Sequence, residues 1–382
     1  MNTIKRGTDV QPIIKSCPEK ITMDKKRVLI ATINIEKSGL WTCGLYQNVI
    51  FIYKLLEIAN YLPYFFVDEK TSKEFQSEYR VIDKRDWNAG PFRIYAFIEI
   101  GMISSSYIRS VMKNSGAKTF KLGLGNSLNI DTETVLFNKN AQFYTYITGN
   151  TDETLLSPHY DLQQEYCSII DGIYPSVRVA PYVWDSVLIK EFQDTHKWEP
   201  NMPFSITIME PNISFQKCSL IPIMICETYY RNKKNIDGVV IIGGFKLRDS
   251  HYFNNTILTN LDLHKLNKLH FMARYNNKII SQRFIYNIII FHHVNNEYNY
   301  LFLEYLFMGF PVIHNYKNLK DFGYYYKCDD ILEGAKMLEY VIKTHGENIE
   351  SYRAKCRQLI WNFSIYNPVN IKGWQDILDN GR

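Results

Sequence analysis

The sequence predicts an α/β protein made of two doubly wound halves, and three observations lead there. Short, continuous runs of β-branched and aromatic residues recur along the chain, each followed by a stretch with helical spacing. Runs that are apolar without alternation suit strands covered on both faces, as in a parallel sheet flanked by helices. The runs also fall into two successive series. A chain of 382 residues with 46% hydrophobic and 15% aromatic side chains has material for two cores.

The elements follow in order. Residues 1–26 are polar with only short apolar pairs and read as a flexible leader without a signal-peptide core. "RVLIATI" (27–33) is a buried strand, followed by the loop "NIEKSGLWTCG" and a helix over 45–60. Further strands are expected at "YLPYFFVD" (61–68), "RIYAFIEI" (93–100), "KTFKLGLGN" (118–126) and "QFYTYITG" (142–149), with a helix around "SSSYIRSVMKNSG". The stretch 177–189 closes this half and crosses to the next. The second series has strands at 204–210, 238–245, 268–273 and 284–293, with a helix over 214–232. A helix over 298–310, a strand at "PVIHN", a helix around "DDILEGAKMLEYVIKTHG" and a helical end broken at Pro368 complete it. The expected division is 27–183, 184–357 and a terminal segment 358–382.

Composition narrows the function classes. A net charge of +5 from 44 basic and 39 acidic residues is spread thinly, so no nucleic-acid partner is expected. Seven dispersed cysteines, without Cys-x-x-Cys or a zinc spacing, favour reduced thiols and a cytoplasmic setting. The longest apolar stretch is interrupted by Gln47, Asn48, Lys54, Glu57 and Asn60, so no transmembrane segment is expected. Gly-x-Gly-x-x-Gly, Gly-x-Ser-x-Gly, the Walker A loop and Asp-x-Asp do not occur, and a metal-free chemistry is favoured.

One residue stands out. The helix over 298–310 is apolar on nearly every side, yet Glu304 lies in its middle. A helix without a polar face is a buried helix, and a carboxylate there is costly unless something pairs with it. Either a buried Lys or Arg pairs with Glu304, or a ligand does; a ribose diol offers two donors to one carboxylate. Glu297 lies two turns earlier on the same face, and the free amides near Asn299 and Tyr300 suit a phosphate. Ligands of open parallel sheets bind beyond the strands' carboxyl ends, which draws in three more places. Gly39 and Gly44 flank a loop that is either a tight turn or a close backbone approach to a ligand. His159 and Asn126 follow strand ends, where they either cap and pack or meet a sugar hydroxyl. His293 and His314 border the loop before Glu304. Lys217, after the strand at 204–210, is by itself an ordinary solvated cation.

The segments "GLYQNV", "SPHYDLQQEYC", "VAPYVWD", "EYNYLFLEYLFMGFPVIHN", "GYYYKCDDILEGAKMLEYVI" and "NPVN" resemble a poorly characterised family of two-domain glycosyltransferases. The C-terminal half is similar to retaining enzymes of the GT-B type. The resemblance implies two Rossmann-like doubly wound domains facing across a cleft, the first presenting an acceptor and the second a nucleotide-sugar donor. It implies glycosyl transfer with retention, no metal or other cofactor, and a glycan or other acceptor. The segment after 358 would cross back onto the first domain, with Trp361 and Trp374 as anchors. In the family pattern two glutamates stand eight apart. Glu304 matches the second, on the ribose. Asn296 stands at the first and Glu297 one residue late, so the sugar contact falls to Glu297 if the loop bulges and to Asn296 if it does not. The pattern's Arg and, five residues later, Lys neutralise the diphosphate; Lys217 matches the Lys and Asn212 replaces the Arg, with Arg248 and Arg274 as substitutes. The resemblance thus implies Lys217, Glu297 and His159 at the reacting centre. It places Glu304, Asn296, Asn299, Tyr300, His293, Gly39, Gly44 and Asn126 around the donor. A sugar-nucleotide epimerase of the same fold and a non-catalytic binding protein are the competing readings.

Overall fold

A computed structural model describes residues 25–40, 44–85, 87, 93–101, 104–137, 151–173, 176–199, 204–275 and 282–380. The first half is a seven-stranded sheet of order β3-β2-β1-β4-β5-β6-β7. Its strands are β1 (Arg27–Ala31), β2 (Leu62–Val67), β3 (Val81–Asp83), β4 (Ala96–Ile100), β5 (Lys118–Gly123), β6 (Glu153–Leu156) and β7 (Val177–Val179). The second half is a six-stranded sheet of order β10-β9-β8-β11-β12-β13. It comprises β8 (Phe204–Ile208), β9 (Ile236–Ile242), β10 (Leu269–Met272), β11 (Ile288–Ile290), β12 (Val312–His314) and β13 (Tyr324–Tyr325). Every strand pair in both sheets is parallel. The order reverses between β1 and β4 and again between β8 and β11, giving the two doubly wound, Rossmann-like sheets expected of a GT-B protein.

The helices that matter for the site are α1 (Gly44–Ile58), α2 (Ser106–Asn114), α3 (Ser127–Phe137), α4 (Gln164–Asp171), α5 (Leu220–Lys233), α6 (Tyr300–Phe307), α7 (Ile331–Phe363) and α8 (Pro368–Asn380). Helix α6 explains the missing polar face. Tyr300 packs edge-on to Phe51 of the first half at 5.6 Å, while Phe302 meets His314 and Tyr316 of the second at 4.8 and 5.0 Å. Wedged between the halves, it buries seven of its eight residues.

Several expectations are corrected. The strand expected at 142–149 lies outside the described residues; β5 pairs with β6, a strand that was not anticipated. The edge strand β3 was not anticipated. The helix expected from 214 begins at Leu220, because the preceding residues are committed to a turn. In that turn Asn212, at φ 54°, donates its N–H to Lys217 O at 3.1 Å and accepts the Ser219 N–H on Oδ1 at 2.8 Å. A helix through Ser214 would break both bonds. At the C-terminus, two expected helices are one, α7, which runs straight through position 358.

The chain crosses back at Ser364–Asn367, and Pro368, which fits a first helical turn, opens α8. Trp374 is fully buried, with Nε1 donating to Pro181 O at 3.2 Å. Asp379 accepts from Tyr61 and Tyr95 at 2.8 and 2.9 Å, and Lys118 Nζ donates to the terminal carbonyls of Leu378 and Asp379. A cation at those carbonyls suits the helix dipole. Trp361, by contrast, is 52% exposed and anchors nothing across this junction.

Candidate functional site

A cavity of about 340 Å³ opens between the carboxyl ends of the two sheets. From the first half it is walled by Leu40, Gly44, Leu45, Gln47, Asn48, Leu124, Gly125 and Tyr182. From the second come Met209, Pro211, Lys217, Ile242, Arg274, Tyr275, Asn296, Tyr298, Asn299, Tyr300, Leu301 and Glu304. Six of the residues expected at the site therefore meet here: Lys217, Asn296, Asn299, Tyr300, Gly44 and Glu304.

Glu304 is 1% exposed, and its Oε1 accepts from Gln47 Nε2 at 2.7 Å. A neutral amide from the opposite half thus shares the carboxylate with the cavity. Gln47 and Asn48 were legible only as polar breaks in an apolar helix. Asn48 Oδ1 lies in hydrogen-bond contact with the Tyr300 hydroxyl, which also reaches Val183 O at 2.6 Å. The Tyr300 side chain therefore ties the halves together. Asn299 caps α6, with Oδ1 accepting the Leu301 N–H at 3.0 Å, as an Asn at that position does.

Of Asn296 and Glu297, the cavity wall includes Asn296. Asn296 lines the cavity, and its Oδ1 accepts from Tyr160 of the first half at 2.7 Å. Glu297 does not line the cavity; its Oε2 accepts the Asn318 N–H at 3.1 Å. The position eight before Glu304 is thus filled by an uncharged amide.

Other residues expected at the site do not line this cavity. His293 Nδ1 donates to Asn296 O at 2.7 Å, and its Nε2 lies 3.0 Å from Glu210 Oε2. Glu210 is fully buried and also accepts the His292 N–H at 2.9 Å. This pair fixes the loop carrying Asn296, and sequence reasoning passed over Glu210 because it closes an apolar strand. Asn126 bridges the cleft by donating to Asn295 O at 2.7 Å. Gly39, at φ 72°, closes a turn onto Ile35 O and does not line the cavity.

His159 does not line the cavity; its ring lies tilted against those of Tyr160 and Tyr298, with centroids 3.8 and 4.6 Å away. Neither ring nitrogen has a hydrogen-bond partner among the described residues. Burial, with Lys217 and His293 adding repulsion, pushes its pKa down to about 3, so the ring is neutral near pH 7. It cannot serve there as a proton donor without first being charged at considerable cost.

The charges on the cavity wall are then Lys217, Arg274 and Glu304. Lys217 projects from the Asn212–Ser219 turn, bridged to Ser214 within it. Asn212, where an Arg was expected, uses its amide to close that turn, with Nδ2 donating to Glu210 O at 2.7 Å. Arg274 follows β10 and supplies a second cation. Two cations, the N-terminus of α6 and a buried carboxylate make a site suited to a polyanion joined to a polyol. Among the described residues, no three His, Cys, Asp or Glu side chains converge as a metal site. No helix among them is long and apolar enough to cross a membrane.

Comparison with known proteins places this geometry. A family model described as a protein of unknown function (DUF2827) matches residues 29–378. Comparison with curated proteins returns no match. Among solved structures, a glycosyltransferase from Rickettsia africae ESF-5 is similar at 14% identity and a TM-score of 0.59, over 94% of this chain and 98% of that one. An alpha-glucosyltransferase in complex with UDP and a 13-mer DNA is similar at 11% identity and a TM-score of 0.58, over 93% and 100%. The Anabaena protein HepE in complex with UDP-glucose is similar at 10% identity and a TM-score of 0.55, over 92% and 99%.

Proposed function

The chain belongs to the DUF2827 family, and we propose that it is a glycosyltransferase using a nucleoside-diphosphate sugar as donor. The observation that carries this reading is Glu304, 1% exposed yet open to the interdomain cavity, sharing that cavity with Lys217 and Arg274. Glu304 would accept both hydroxyls of the ribose. Lys217, Arg274 and the amides at the start of α6 would face the diphosphate. The likeness to solved proteins holding UDP or UDP-glucose supports the same assignment.

Transfer is proposed with retention of configuration and without a metal, the cations and amides meeting the leaving group's charge. The bond from the anomeric carbon to the phosphate oxygen breaks and one to the acceptor oxygen forms. The acceptor's proton passes to the departing phosphate, so no separate base is needed. The acceptor, a glycan or another hydroxyl-bearing molecule, would enter along the apolar wall of Leu40, Leu45 and Leu124. A cytoplasmic location is proposed on the free thiols of Cys167, Cys218, Cys226, Cys328 and Cys356.

A thermal-shift screen against UDP-, GDP-, dTDP- and CMP-sugars tests the reading, since stabilisation follows occupancy. One nucleotide class should raise the melting temperature. Glu304→Gln should weaken that ligand by about ten- to a hundredfold, the loss of a charged acceptor, while leaving the unliganded melt close to the parent's. Equal binding by Glu304→Gln would remove the ribose from this position.

A further inference from the structure

The turn that carries Lys217 belongs to the second half of the molecule, yet an anchor for it comes from the first. Glu133 lies on α3 and is 5% exposed. Its Oε1 accepts from Ser214 Oγ at 2.7 Å and from the Phe215 N–H at 2.9 Å. Ser214 is in turn bridged to Lys217, and its Oγ accepts the Gln216 N–H at 3.1 Å. Just before α3, Asn126 donates to Asn295 O at 2.7 Å while its own Oδ1 accepts the Asn129 N–H at 2.9 Å. One helical segment of the first half thus grips both loops that form the donor side of the cavity.

We propose that Glu133 is a positioning residue that sets Lys217 against the cavity as the two halves close. The internal bonds of the Asn212–Ser219 turn fix its shape, but they do not fix where the turn sits relative to the first half. That placement comes from Glu133. In the closed form its bonds to Ser214 and Phe215 are charge-assisted and shielded from water. When the halves part, water can serve the carboxylate, the hydroxyl and the amide alike, so the contact is made and broken at small net cost. Such a contact suits an element that must open to release product. Phosphate neutralisation is then available only in the closed cleft, where a donor sugar is also guarded from water. The inference rests on the reading of Lys217 as the diphosphate ligand.

The test uses the full chain as parent, Glu133→Ala, Glu133→Gln, Lys217→Ala and Glu133→Ala/Lys217→Ala. Backbone exchange of the 211–219 segment is followed by mass spectrometry, and UDP, GDP and dTDP are titrated calorimetrically. Glu133→Ala should speed exchange at the Phe215 amide by about tenfold or more. It should weaken the bound nucleoside diphosphate by about tenfold, and by nothing further once Lys217 is already Ala, because it acts through that lysine. Glu133→Gln keeps an acceptor oxygen and should stay within about threefold of the parent. An equal loss in the Lys217→Ala background, or unchanged exchange and affinity in Glu133→Ala, would overturn the proposal. If the parent binds none of these nucleoside diphosphates, the donor reading fails by itself. Exchange at Phe215 then still decides whether Glu133 holds the turn.

Discussion

Lys217→Ala is expected to lower turnover by about a hundredfold or more, equivalent to about 3 kcal/mol of barrier. The leaving nucleoside diphosphate gains negative charge as the sugar bond breaks, so a cation beside it stabilises the transition state more than the bound donor. kcat should therefore fall further than KM rises. Arg274 on the same wall limits the loss, since one cation remains. Lys217→Arg should recover only part of the rate, because a planar fork replaces a compact point charge. Steady-state kinetics with the donor found by the thermal screen, measured beside the unliganded melt, check this. The melt separates a lost charge from a loosened turn, whose own closure comes from backbone and side-chain bonds of Asn212 and Ser214. A full rate in Lys217→Ala with a collapsed rate in Arg274→Ala would move the leaving-group contact to Arg274.

Most strands of the two sheets were legible because parallel strands buried on both faces are apolar without alternation, as the three buried isoleucines of β11 show. The edge strand β3 escaped because its three residues are only half-buried and carry no such run. Helical spacing misplaced the start of α5 for a different reason. The side chain of Asn212 and the bridge between Ser214 and Lys217 satisfy the backbone locally, and that competition is invisible to periodicity. Glu304 could be singled out because one charge on a helix without a polar face has no local solution. Its partner Gln47 could not, since 257 positions separate them and only the packing of α6 between the halves unites them. Asn126 and His293 show the converse. Polar residues at strand ends serve ligands and loops equally well, and which use wins depends on direction, which residue type does not encode. Glu297 and Asn296 differ by one position, and the loop's hydrogen bonds to His293 and Tyr160 decide which of them lines the cavity.

Mild acid is expected to destabilise the folded chain by several kcal/mol between pH 7 and pH 5, through histidines held neutral. Burial pushes His159 and His196 down to about 3 and His314 and His345 down to about 4. Neighbouring cations add to this, Lys217 at His159 and Arg353 at His196 and His345. The geometry agrees. His314 Nε2 faces Phe322 O at 2.6 Å, so it carries the proton, while Nδ1 accepts the Tyr316 N–H at 3.1 Å. A second proton would abolish that acceptor. His345 Nδ1 lies 2.7 Å from the Tyr324 hydroxyl. His196 has no partner on either nitrogen among the described residues and lies 4.7 Å from Phe310 and 6.2 Å from Trp198. The sign follows directly. These folded-state values lie below the value of about 6.5 for an unfolded His, so below that pH the unfolded chain binds more protons and stability falls. Each group contributes up to about 1.4 kcal/mol per pH unit until its folded value is reached. Several such groups act on a total stability of about 5–15 kcal/mol. Urea unfolding at pH 7.5, 6.0 and 5.0 should therefore show the midpoint dropping steeply. His196→Phe isolates one member of the set, because a phenyl ring fits an aromatic site and cannot take up a proton. That variant should match or exceed the parent at pH 7.5 and lose about one proton's worth of slope below pH 6. An unchanged slope would mean that His196 is protonated in the folded state after all.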